Sequence, residues 1–313
     1  MPSVTVVLPV FNRVQVVARA VDSVLEQTFE DFELIVVDDG SSDGTPDLVA
    51  GFLDPRIRLI SLPRNRGACA ARNRGIEAAN GDVVCLLDSD DVYRPDKLAV
   101  VAELFAERPE LDLLVDSFVC HKAVAPKSRT KVKQNPPELT GAAFRAALFE
   151  RRIAKATTAL SVRRRALLDV GLFDEKLRRR QDLDLVLRLA RKHVCLSTDR
   201  VLWEKHESAD AISRDHRLFL QASIDICERH PDYLRHHAPV LYRDLRSHFA
   251  WLAKHGHWTS FGRDALRYAR FAPFRHSLAR LLLDSRVSRS AAPASSQRSR
   301  AESGSPSTTA DVS

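Results

Sequence analysis

The sequence predicts an α/β protein built on a mostly parallel sheet flanked by helices. Two observations carry this. Short Val/Ile/Leu-rich runs alternate with segments of helical period through the first half of the chain, the pattern of buried strands joined by helices. The composition also allows a sizeable core, because 44% of the 313 residues are hydrophobic, while glycine is scarce and the five cysteines are dilute. Collagen-like, wholly disordered and disulfide-scaffold proteins are thereby excluded.

In chain order, Val4 to Leu8, Leu34 to Val37, Ile57 to Ser61, Val83 to Leu87 and Leu113 to Val119 read as strands. Between them, Val14 to Gln27 places Val17, Ala20, Val21, Val24 and Leu25 on one helical face, and Ala68 to Ala79 and Asp96 to Glu107 also suit helices. Thr45-Pro46 offers an N-cap followed by proline at the first helical position, and Pro95 precedes another helix. The pattern breaks at APKSRTKVKQNPP, from Ala125 to Pro137, where Lys127, Arg129, Lys131 and Lys133 occupy every second position. This reads as a solvated loop, with a basic flap over an anionic ligand as the sharper alternative. A strand is expected at Thr157 to Val162 and a helix at Asp182 to Lys192; residues from about Asp215 to Leu283 look helical. From Ser285 the chain lacks apolar periodicity and reads as a disordered tail.

Cys69, Cys85, Cys120, Cys195 and Cys227 are odd in number and lack CxxC spacing, so they read as buried free thiols of a reducing compartment. No export signal opens the chain and no run approaches the ~20 apolar residues of a membrane span. A cytoplasmic protein is expected. The net charge of +7 points to an anionic partner without naming it. Arg263, Arg267, Arg270 and Arg275, in the helical end, read as a solvated face, with peripheral contact to anionic lipid at the inner face of the membrane as the alternative.

Polar residues collect where the predicted strands end, which is where open α/β sheets bind ligands. The first strand runs into Pro9-Val10-Phe11-Asn12-Arg13, the second into Asp38-Asp39-Gly40-Ser41-Ser42-Asp43-Gly44, and the fourth into Asp88-Ser89-Asp90-Asp91. Each cluster alone suits a turn or cap. Together they form one polar edge. Carboxylates crowded at this density repel unless a cation neutralises them, and hard oxygen ligands suit Mg²⁺ or Mn²⁺ bridging to a diphosphate.

These residues resemble family-2 glycosyltransferases, whose GT-A fold binds nucleotide sugars. The resemblance runs from about Ser3 to Ser213 through VTVVLPVFNR, IVVDDGSSDGT, RNRGACAARNRGI, VVCLLDSDD, ALSVRRRALLDVGLFDEKLRRRQDLDLVLRLA and KHESADAIS, in order. It implies a GT-A catalytic domain over 1–214, with a nucleotide-binding half to about residue 120 and an acceptor half over 121–214, then a helical extension over 215–284 and the tail over 285–313. It also implies that Asp39, with Asp38 beside it, contacts a uridine-type base. Asp88 and Asp90 form the DxD pair for cation and ribose, with Asp90 the direct metal ligand and Asp91 a further partner. Pro9, Phe11, Asn12, Arg13, Arg66, Gly67, Arg72 and Ser89 would complete the nucleotide site. Arg72 and Asn73 alternatively only tie their helix to neighbouring backbone.

The resemblance further implies an inverting reaction, in which a base takes a proton from an acceptor hydroxyl as it attacks the anomeric carbon. Gly171-Leu172-Phe173-Asp174-Glu175 followed by Gln181-Asp182-Leu183-Asp184 makes Asp182 that base; Gln181 stands where relatives more often carry Glu, and an N-terminal helix anion is the alternative for Asp182. In Trp203-Glu204-Lys205-His206 the resemblance suggests His206 as a further metal ligand or diphosphate contact and Lys205 as a charge for the leaving group. The expected reaction moves one sugar from a nucleoside-diphosphate sugar, UDP-linked, to a hydroxyl of a glycan, lipid-linked or similar envelope or secondary-metabolite acceptor, with Mn²⁺ or Mg²⁺. The QxxRW motif of processive synthases is missing. Among rivals, a nucleotidyltransferase would open with a Gly-rich loop after its first strand, NAD binding would need GxGxxG there, and a nucleic-acid module would need a basic face with stacking aromatics. A silent sugar-nucleotide-binding scaffold is disfavoured by Asp88, Asp90 and Asp182.

Overall fold

A computed structural model describes residues 3–124, 127–206 and 216–269. The chain divides into two compact units, Met1–Leu245 and Arg246–Ser313. The first unit opens with β1 (Val4–Val10), α1 (Val17–Leu25), β2 (Phe32–Asp38), α2 (Thr45–Ala50), β3 (Ile57–Ser61), α3 (Ala68–Ala78) and β4 (Val83–Leu86). It continues with β5 (Val92–Tyr93), α4 (Lys97–Glu107), β6 (Leu111–Val124), β7 (Lys127–Lys133), β8 (Leu139–Thr140) and α5 (Gly141–Phe149). After a 3₁₀ turn at Thr157–Ala159 come β9 (Leu160–Arg163), α6 (Arg164–Asp169), α7 (Gln181–Lys192), β10 (Val194–His206) and α8 (His216–Arg229); α9 (Pro231–Lys254) and α10 (Trp258–Ala269) end the described chain.

The strands form one ten-stranded sheet in the order β3-β2-β1-β4-β9-β6-β10-β5, with β7 on β6 and β8 on β10. The first four pair in parallel, and every residue of β1 and of β4 is buried, as expected of strands covered on both faces. The later half is mixed. β9 runs antiparallel between β4 and β6, whereas β6 and β10 are parallel. Because β2 and β4 leave β1 on opposite sides, the chain order reverses at β1. Its carboxyl end therefore opens the crevice in which α/β sheets bind ligands.

Three readings are corrected. The stretch expected as a loop or flap is a strand, β7, paired antiparallel with β6 from Phe118↔Lys133 to Val124↔Lys127. Its basic residues at every second position are the period-two pattern of a strand, and charge on an edge strand discourages further pairing. The strand expected from Thr157 starts only at Leu160, because Thr157–Ala159 form the 3₁₀ turn. Thr45 is the first residue of α2 and caps nothing: its hydroxyl donates to Asp43 and accepts the Arg13 N–H. All five cysteines are buried free thiols, as expected. No helix among the described residues is long and apolar enough to cross a membrane. Arg270, Arg275 and the tail from 285 lie outside the described residues.

α3 lies close on the sheet because its residue nearest β1 is glycine. A Cβ at Gly75 would sit 2.5 Å from Val7 Cγ1 and 3.2 Å from Val37 Cγ2, both on β-branched side chains with little rotamer freedom. Gly75→Val should therefore destabilise the protein by at least ~2 kcal/mol, read as a lower urea midpoint at unchanged slope.

Candidate active site

A cleft of about 650 Å³ lies at the carboxyl ends of β1 and β4. It collects Pro9, Phe11, Arg13, Asp39, Gly67, Arg72, Asp88, Ser89, Asp90, Asp182 and Lys205, all expected site residues. Asn12, Asp38, Arg66 and His206 do not line it.

The wall from β2 is braced by Asp39. Its main-chain N–H donates to Val10 O at 2.9 Å, and its two carboxylate oxygens accept Arg66 N–H at 2.8 Å and Gly67 N–H at 2.7 Å. Asp39 thus fastens the end of β1, through its main chain, to the entrance of α3, through its carboxylate; there Gly67 adopts φ +93°, a conformation open to glycine. Asp38 turns the other way and accepts the Ser41 N–H, so it shapes the turn. Asn12, at φ +51°, accepts the Ser42 N–H through Oδ1 and gives its own N–H to Ser41, tying the loops after β1 and β2 together. The Arg66 guanidinium leaves the cleft for Glu175, 3.1 Å away. Asn73 ties its helix to backbone, exchanging two 2.9 Å hydrogen bonds with the main chain of Phe173.

Arg72 is different. Its Nη2 donates to Asp88 Oδ1 at 2.6 Å and its guanidinium lies 5.5 Å from the Phe173 ring centre, yet buried Nε and Nη1 have no hydrogen-bond partner. Unsatisfied buried donors are costly.

At the end of β4, Asp88, Ser89 and Asp90 line the cleft but Asp91 does not. Asp91 is fully buried, accepting the Thr158 hydroxyl at 2.6 Å and the His206 N–H at 3.3 Å. This removes it from the set of accessible ligands. Burial pushes its carboxyl up to about 8, with Asp88 and Asp90 adding to the rise and Lys205 opposing it. The same three carboxylates hold the Lys205 ammonium above its ordinary value against the effect of burial.

His206 is set apart by strand geometry. Neighbouring residues of β10 point to opposite faces, and Lys205 takes the cleft face. The His206 ring instead stacks on His121, 4.8 Å between centroids, and a Glu204 carboxylate oxygen is hydrogen-bonded to His121 Nε2 at 2.9 Å. Among the described residues, His121, Glu204 and His206 form a group whose ligand atoms lie within 4.8 Å of one another. Burial, Arg19 and His121 lower the His206 imidazole, while Glu204 and Asp90 raise it, so its ring stands off the cleft lining but still within the field of Asp90.

Asp182 sits in the first turn of α7, after Arg180 at φ +61°, and reaches the cleft together with Arg151, Lys155, Arg178 and Arg179. These cations were not singled out by sequence reading. The run RRR at 178–180 was a signal, but nothing local links it to Arg151 and Lys155. Burial lowers the Lys155 ammonium, Asp182 counters it, and Arg180 and Arg151 lower it further, which places these charges close together.

Residues 5–168 match the family described as Glycosyl transferase family 2. A succinoglycan biosynthesis protein, ExoO, of Rhizobium meliloti is 50% identical over 102 residues, covering 33% of this chain and 29% of that protein. An Escherichia coli UDP-Glc:alpha-D-GlcNAc-diphosphoundecaprenol beta-1,3-glucosyltransferase, WfgD, is 32% identical over 133 residues, 41% of this chain and 53% of that one. The chain thus spans about half or less of these relatives' length. A mannosyltransferase of Pyrobaculum calidifontis, solved with GDP-Man and Mn²⁺, superposes with TM-score 0.58 at 18% identity over 91% of this chain and 86% of that one. The shared fold is GT-A.

Asp91 gives a pH test. A carboxyl whose folded value is about 8 against an ordinary 3.8 takes up a proton on folding between those values, so its contribution falls as pH rises through that window. In EDTA, Asp91→Asn should flatten the loss of thermal stability between pH 5 and pH 8 (about the titration window); an unchanged slope would contradict the assignment.

Proposed function

The chain belongs to glycosyl transferase family 2, and from that premise we propose that it moves one sugar, with inversion, from a UDP-linked donor to the hydroxyl of a glycan or lipid-linked acceptor. The observation that carries this reading is the convergence of Asp39, Arg72, Asp88, Asp90, Lys205 and Asp182 on one cleft. Asp39, fixed by two backbone N–H groups, borders the pocket for the base together with Pro9 and Phe11. Arg72, paired with Asp88, adds positive charge to the cleft wall, and Lys205 supplies positive charge as the nucleoside diphosphate departs.

The residues present also fit a divalent cation. Asp88 and Asp90 offer hard oxygen ligands on the cleft, and their mutual crowding, felt by Asp91, is what a cation relieves. Mn²⁺ or Mg²⁺ held there would neutralise the donor's diphosphate. Asp182 accepts the acceptor's proton at its carboxylate, held rigidly by the first turn of α7. The overlap with a succinoglycan biosynthesis protein and with a glucosyltransferase acting on a diphosphoundecaprenol-linked sugar supports an envelope or exported polysaccharide as the setting.

A panel of nucleotide sugars with Mn²⁺ or Mg²⁺, scored by thermal shift and donor hydrolysis, tests the reading; no metal-dependent response to any donor would sink it. Asp182→Asn should lower turnover by about 10²–10⁴-fold with donor affinity retained. Asp90→Ala should instead abolish metal-dependent UDP binding.

A further inference from the structure

The positive charge of the chain is concentrated in one place. Residues 1–245 hold 37 basic and 37 acidic side chains, whereas residues 246–313 hold 11 and 4. The whole formal excess of +7 therefore belongs to the second compact unit. Every residue lining the cleft belongs to the first, so the cleft does not account for this charge.

Within the second unit, α10 sorts its side chains by face. Phe261 and Asp264 turn in to the end of α9, where the Phe261 ring meets Phe249 edge-on at 4.9 Å between centroids and Asp264 is hydrogen-bonded to buried His248 at 3.0 Å. Asp264 is the single acidic residue of α10, so the helix turns its one anion inward. The outer face carries the opposite. Trp258, Gly262 and Leu266 fall on one row at spacings of four, with Trp258 50% and Leu266 79% exposed. Arg263 and Arg267, both exposed, form the row beside it. The sequence that follows continues both features, with Arg270, Arg275 and Arg280 among Phe271, Phe274 and Leu281 to Leu283.

An apolar row edged by arginines suits the boundary of a lipid bilayer. There an indole sits at headgroup level, an aliphatic side chain reaches the acyl chains, and arginine stems lie along apolar surface while their guanidiniums meet anionic headgroups. A polyanion such as RNA would match the arginines but offers no hydrocarbon to Leu266. Water alone leaves both Trp258 and Leu266 at the cost of apolar exposure.

We propose that the outer face of α10, with Trp258 and Leu266 entering the headgroup boundary and Arg263 and Arg267 beside them, docks the protein on a bilayer surface containing anionic phospholipid. The remaining basic residues of the second unit extend the attraction to that surface. The assignment stands without the transferase reading; together the two bring the reaction to a membrane surface.

The test mixes the full chain with vesicles of phosphatidylglycerol and phosphatidylcholine in equal parts, or of phosphatidylcholine alone, and reads binding by flotation. Binding to the anionic vesicles should exceed binding to the neutral ones about tenfold or more at roughly 0.1 M salt, and should fall as salt rises. Leu266→Gln and Trp258→Ser leave the charge unchanged, and each should weaken binding about tenfold. The double change Arg263→Gln with Arg267→Gln should weaken it at least as much. Trp258→Phe should keep most of the binding while removing most of the quenching of tryptophan emission by brominated lipid. Thermal unfolding verifies that each variant folds. No binding to anionic vesicles, or equal binding to neutral ones, overturns the proposal. Binding that Leu266→Gln and Trp258→Ser both leave unchanged also overturns it, because the attachment is then adsorption through other charges. Displacement of the vesicles by RNA, or self-association that Leu266→Gln abolishes, assigns the face to another occupant and overturns it as well. Metal-dependent UDP binding, measured in parallel, reports separately on the transferase reading.

Discussion

Thr158 fastens the acidic rim of the cleft to the second half of the sheet. Its hydroxyl accepts the Asp88 N–H at 3.1 Å and donates to Asp91, while its carbonyl accepts the Lys97 ammonium at 2.9 Å. Lys97 in turn binds Asp116 at 2.7 Å, and all four side chains are fully buried. Burial pushes the Asp116 carboxyl up to about 6, opposed by Lys97 and by Trp203. A buried pair of this kind adds little net stability over an apolar substitute, but loss of one partner strands the other. Its role here is geometric. It joins the strand-end turn of β4, helix α4, strand β6 and the turn before β9 at a single point, and so sets where Asp88 to Asp91 stand relative to the second half of the sheet.

The joint also divides labour among adjacent carboxylates. Asp91 is drawn inward to Thr158 and the His206 backbone, and this leaves Asp88 and Asp90 facing the cleft. The same economy governs β10, where strand alternation gives Lys205 to the cleft and Glu204 and His206 to the cluster with His121. Charge is likewise sorted by place. The net +7 conceals an acidic rim beside β4 and a group of basic residues, Arg151, Lys155 and Arg178 to Arg180, that line the cleft with Asp182.

Much of the fold was legible because strands buried on both faces are dominated by apolar runs, as Val6 to Val10, Leu34 to Val37 and Val83 to Leu86 are. β7 was missed because its polar residues suggested a loop, although their spacing of two was already that of a strand. β5 and β8, of two residues each, are too short to leave a periodic trace. In the site, the clusters after β1, β2 and β4 were legible because ligand-binding groups concentrate at strand ends. The bracing roles of Asn12 and Asp38, the inward turn of Asp91 and the position of His206 were not, since a motif gives spacing along the chain and not the direction of a side chain.

By itself the sequence determined the α/β class, the ordered polar clusters and the family to which they belong, since local periodicity and motif order are properties of the chain. Tertiary structure alone decided which of those polar groups meet. Arg151 and Lys155 reach Asp182 only because α5, α7 and the turn before β9 pack at one end of the sheet, and no local pattern encodes a contact between segments that folding brings together from opposite sides of β9.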